Sequence, residues 1–200
     1  MKLVSYCLLA LLLIATGCNN AGSESETGAE QVSQGGLPKL NLHKPDSLAA
    51  AAERLETLIA ALSSDGPVPE GKQLRVLEVI HGTGSSAHSH YYLANDEGEA
   101  ITDHGHDDHE DMEEEQKIHD VVIDPFTELV DIARWLPDIA GDGDLPREAW
   151  TKVNKAAGEM QKILDQMPSG DTSAKKSFVQ KKSSELKELL SGVQKLATEG

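Results

Sequence analysis

The apolar residues of this chain change their spacing twice, and that change limits the fold more than any other feature. Leu48, Ala51, Ala52, Leu55, Leu58, Ile59 and Leu62 recur every three or four residues, which predicts a helix with one apolar face, capped by Asp46 or Ser47 and stopped by Asp65-Gly66-Pro67. Three short β-branched or aromatic segments follow, at 74–80, 88–93 and 118–123, and these read as strands. Beyond Asp124-Pro125 the helical spacing returns in Phe126, Leu129, Val130, Ile132, Ala133, Leu136 and Ile139. Two further helices are expected, one after Asp144-Leu145-Pro146 with Trp150, Val153, Ala157, Met160 and Leu164, the other from about Thr172 with Phe178, Val179, Leu186, Leu190 and Val193. The pattern predicts an α+β fold, mainly helical, with about four helices packed with a small three-stranded antiparallel sheet carrying a long disordered loop. Phe126, Trp135, Trp150 and Phe178 all fall on helices and are expected in the core.

The chain opens differently. Lys2 precedes an apolar run from Leu8 to Ala15 that is too short to span about 30 Å of hydrocarbon, and small residues follow it, as in a secretory signal. The segment ends Ile14-Ala15-Thr16-Gly17-Cys18, which resembles the lipobox of bacterial lipoproteins. The resemblance implies a diacylglyceryl thioether on Cys18, cleavage between Gly17 and Cys18, and acylation of the new amine by chains such as palmitate. Ala15 stands where that family usually has Leu, which leaves ordinary signal-peptidase cleavage as the alternative. Cys7 lies inside the removed segment, so Cys18 is the sole thiol of the exported chain and no intramolecular disulfide supports the fold. Asn19 after the cysteine resembles lipoproteins passed to an outer membrane, which implies a cell-envelope location, lipid-anchored and facing the periplasm.

Residues 19–38 are nearly devoid of large apolar side chains and cannot offset their ordering entropy by burial. The expected organisation is therefore a lipoprotein signal peptide over 1–17, a lipidated cysteine and flexible tether over 18–45, and a single domain over 46–200 with an acidic, histidine-rich loop at 95–116.

That loop carries the chemistry. Asp96 to Glu115 contains eleven carboxylates and no lysine or arginine, with His104, His106 and His109 among them and Asp107 and Asp108 between the imidazoles. Imidazoles two or three residues apart, interleaved with carboxylates on a glycine-containing backbone, can close around zinc, nickel or copper without a prebuilt cage. His88 and His90 are two apart, which on a strand turns both to one face, and His119 lies near the far end of the loop, so that six imidazoles could meet at the hairpin. The segment resembles the histidine-rich acidic loops of periplasmic zinc-uptake binding proteins, although this chain is too short to be such a two-lobed receptor. A loop of this kind would bind weakly and exchange readily, because ordering it consumes coordination energy. The alternative is a solvated acidic spacer with no metal role.

Other classes lack their minimum parts. The formal charge of −16 excludes a nucleic-acid binder working through bulk charge. Gly82 to Ala87 fits a dinucleotide fingerprint, but the residues after it form no amphipathic helix. There is no His-Glu-x-x-His, Cys-x-x-Cys-His or Gly-x-Ser-x-Gly. The lysines of the last helix form a basic face that solvent, a partner or anionic lipid could meet.

The run from Asp131 to Ala140, with Trp135-Leu136-Pro137, followed by Asp144-Leu145-Pro146 and Trp150, resembles small uncharacterised lipoproteins of planctomycete-type bacteria that carry a histidine-rich insert. That resemblance brings no activity with it. The sequence is thus read as a lipid-anchored envelope protein without catalytic function, whose loop binds or buffers divalent transition metal. The competing readings are an adaptor lipoprotein docking another envelope protein, and a metalloenzyme with its centre on His88, His90 and His119.

Overall fold

Helix α1 (Leu48–Ser63) starts where the side chain of Ser47 accepts a hydrogen bond from the Ala50 amide at 3.2 Å. The computed structural model describes residues 41–82, 87–101, 114–143 and 145–199, which belong to one of the two units into which the chain divides, Leu40–Gly200. Leu55, Leu58, Ile59 and Leu62 are fully buried along α1. At about 2 kcal/mol each, they outweigh the cap's contribution of about 1 kcal/mol. Burial holds the helix, and the cap decides where it begins.

Three antiparallel strands follow: β1 (Lys72–His81), β2 (His88–Leu93) and β3 (Glu114–Ile123). Their order is β2-β1-β3, with β1 in the centre. Helix α2 (Pro125–Asp142) leaves β3 directly, and its Asp124 cap accepts from the amides of Phe126 and Thr127 at 3.1 and 3.2 Å. Helices α3 (Arg147–Leu164) and α4 (Thr172–Glu199) complete the chain. Over the described residues the fold is α+β and mainly helical, with four helices and a three-stranded antiparallel sheet.

The helices close a ring in which α1 packs on α2 and α4, and α3 packs on the same two. Their shared core draws every buried residue from α1, α2, α3 and α4. The sheet has its own small apolar cluster of Leu77, Val79 and Ala94 with Tyr92 against it. In chain order the sheet is thus an excursion between α1 and α2.

Two polar contacts pin the bundle. Arg54 of α1 donates to both oxygens of Glu128 on α2, at 2.8 and 2.6 Å, and the Glu128 side chain is 1% exposed. Pro137 lies inside α2 and has no amide proton to give the carbonyl of Ala133. The side-chain amide of Gln161 on α3 donates to that carbonyl instead, at 3.4 Å.

The structure corrects the sequence reading at the start of the domain, at the acidic loop and at Trp150. The packed chain reaches back past Pro45, because His43 is buried, with its ring 4.6 Å from that of Trp135 and its Nε2 3.2 Å from Asp131. A histidine in a polar segment gives no periodic signal, so its docking on α2 is invisible to pattern reading. The loop expected over 95–116 is trimmed at both ends. Asn95 to Glu99 form a tight turn closed by Asn95 N–H to the Glu99 carbonyl at 2.9 Å and by the Ala94–Ala100 bridge, and residues from Glu114 onward belong to β3. Finally, Trp150 is 39% exposed rather than in the core, whereas Phe126 is buried and Trp135 and Phe178 are partly buried against it.

Candidate metal centre

Register decides which side chains of the sheet share a face. His81 pairs with His88, Val79 with His90 and Leu77 with Tyr92 across β1 and β2. Because successive side chains alternate, His81, His88 and His90 stand on one face at the end of the sheet. Their ring centres are 5.6 Å apart for His81 and His88, 5.2 Å for His81 and His90, and 5.2 Å for His88 and His90. Tyr92 stacks on His90 at 6.5 Å between ring centres, and buried Val79 lies on the same face. His88 and His90 are exposed, and His81 is half-buried.

His119 does not join them. It pairs with Val76 across β1 and β3, which places it on the opposite face. There its Nε2–H donates to Glu78 at 2.8 Å, and the same carboxylate accepts from Ser89 Oγ at 2.7 Å and Tyr91 OH at 3.0 Å. These bonds hold the Glu78 carboxyl below the usual carboxylate range; the Ser89 bond is the largest cause, desolvation opposes it, and His119 and Tyr91 add to it. All three partners lie on strands that flank Glu78 on β1, so the network ties β2 and β3 to the central strand. The expectation that His88, His90 and His119 converge therefore fails by one residue of strand parity.

The third imidazole beside His88 and His90 is His81, which lies just past the segment 74–80 read as a strand and is its last residue in the structure. The available signal was positional: His81 and His88 flank a hairpin connection symmetrically, so pairing the strands outward from it sets them opposite each other. His104, His106, His109, Asp107, Asp108 and Cys18 lie outside the described residues.

Among the described residues, no three histidine, cysteine or acidic side chains are arranged so that they could hold a metal ion as they stand. A separate cavity of about 550 Å³ opens between the start of α1 and the end of α2, beside the Lys44–Asp142 ion pair, and none of the described histidines lines it. Among the described residues no helix is long and apolar enough to cross a membrane. No protein family, curated protein or solved structure matches the chain.

Proposed function

We propose that this protein is a lipid-anchored component of a bacterial cell envelope that binds or buffers divalent transition metal rather than catalysing a reaction. The observation that carries the metal role is the meeting of the His88 and His90 rings, 5.2 Å apart on one sheet face. Support for the anchor comes from Cys18, the sole thiol left after the apolar leader. Two or three acyl chains, at about 0.8 kcal/mol per buried methylene, keep a protein on a membrane where one chain would let it leave. The acidic segment with His104, His106, His109, Asp107 and Asp108 would raise the local concentration of cations around the strand histidines.

Zinc titration of the full chain by calorimetry tests the metal role, and a chain that takes up no zinc overturns it. The second reading, an adaptor docking another envelope protein, is favoured by Ile118 and Val122, which β3 leaves 51% and 63% exposed on one face of the sheet.

A further inference from the structure

We infer that His81, His88 and His90 together form a three-imidazole site for a nitrogen-preferring divalent ion such as zinc, with a fourth coordination position left to water or an incoming ligand. Such a site presupposes the metal role proposed above and names where it is exercised.

The spacing of the rings is the first argument. With zinc–nitrogen bonds of about 2.1 Å, the ring centres of three coordinating imidazoles lie about 3.2 Å from the ion and, at a tetrahedral angle, about 5.2 Å from one another. The observed separations are 5.2, 5.2 and 5.6 Å. The His81 and His88 planes are inclined by 29° and His90 stands at 78° and 74° to them, and the three side chains do not hold an ion as they stand. Rotation about Cβ–Cγ passes nearly through the ring centre, so it re-aims the nitrogens while the centres stay in place, and for histidine this torsion is broad.

The backbone supplies the second argument. His81 and His88 are directly opposed across an antiparallel pair, and His90 is the diagonal neighbour of His81. Both relations bring long side chains within reach without moving a strand. Much of the ordering cost of a metal site is therefore met by folding, unlike that of a loop which must be gathered around the ion. An all-imidazole set selects zinc, copper or nickel over magnesium and calcium, which take oxygen ligands. The exposure of His88 and His90 leaves the ion open to exchange.

The test uses the full chain with zinc, and with cobalt(II) as a spectroscopic substitute. His81→Ala, His88→Ala and His90→Ala, each checked for an unchanged thermal melt, are expected to weaken zinc by about tenfold or more. His119→Ala and the combined His104→Ala, His106→Ala, His109→Ala variant keep the tight site, and cobalt gives the intense visible bands of a four-coordinate ion. Zinc is also expected to protect His81, His88 and His90 of the unsubstituted protein from diethyl pyrocarbonate, read by peptide mass spectrometry, which requires no variant to fold. Binding that is indifferent to His81, His88 and His90 but lost in the combined loop variant overturns this site and moves the metal role to the segment with His104, His106 and His109. Absence of zinc binding to the unsubstituted chain overturns both.

Discussion

His119 donates to Glu78 at 2.8 Å on the sheet face opposite to the one that carries His88 and His90. The Glu78 carboxylate also accepts from Ser89 and Tyr91, so one side chain of the central strand is bonded to both of its neighbours. The contact is a fastening of the sheet.

Acidification should loosen that fastening. The folded-state pKa of Glu78 is lowered, so its contribution to stability is fully present above the ordinary glutamate range and is lost as pH falls through the folded value below it. Thermal melts between pH 6 and pH 3, in steps of about half a unit, are expected to show a steeper loss of stability for the native chain than for Glu78→Gln. Parallel curves would show that the network adds no pH-dependent stability.

Arg54 and Glu128 form the ion pair between α1 and α2 that removal of one partner should expose most clearly. Arg54→Met leaves the Glu128 carboxylate in the core without its cation, and the expected cost is about 3 kcal/mol by chemical denaturation. Arg54→Met combined with Glu128→Leu is expected to recover most of that loss, because no uncompensated charge remains.

Gln161 and Pro137 should be coupled through the Ala133 carbonyl. Gln161→Ala leaves the Ala133 carbonyl without its side-chain donor and is expected to cost about 1 kcal/mol. In a Pro137→Ala background the helix amide can reach that carbonyl, and the same substitution is expected to cost close to nothing. A double-mutant cycle reads the difference.

Gly98 has φ of 88°, and a side chain there would meet the Ile118 Cδ1 atom on β3. Gly98→Ala is therefore expected to destabilise the Asn95–Glu99 turn by about 1 kcal/mol or more. Faster hydrogen exchange at the Gly98 and Glu99 amides, with the helical amides unchanged, would locate the effect.

The proposed lipid anchor is tested at Cys18 itself. Mass spectrometry of the mature protein is expected to find Cys18 as the first residue, carrying acyl mass, and Cys18→Ser should move the protein from the detergent phase to the aqueous phase. Recovery of a native chain with an unmodified thiol in the aqueous phase would refute anchoring.

Much of the fold was legible because burial imposes a period on the sequence. The stripes on α1 and α2, the Asp124-Pro125 start and the three strands could all be read from apolar spacing and caps. Trp150 was misplaced because a period marks a face without fixing how far that face extends into the core. Of the candidate site, the pairing of His88 with His90 was legible from their two-residue spacing.

Apolar spacing and caps in the sequence were enough to give the order and kind of the elements and the side-by-side placement of His88 and His90. That His81 joins them, that His119 turns away to Glu78, and that the helices share a core apart from the sheet's cluster came from packing and register. The physical reason lies in the range of the constraints. Hydrophobic period and caps act within a few residues, whereas strand register is fixed between residues far apart in the chain, and a shift of one position sends a side chain to the other face.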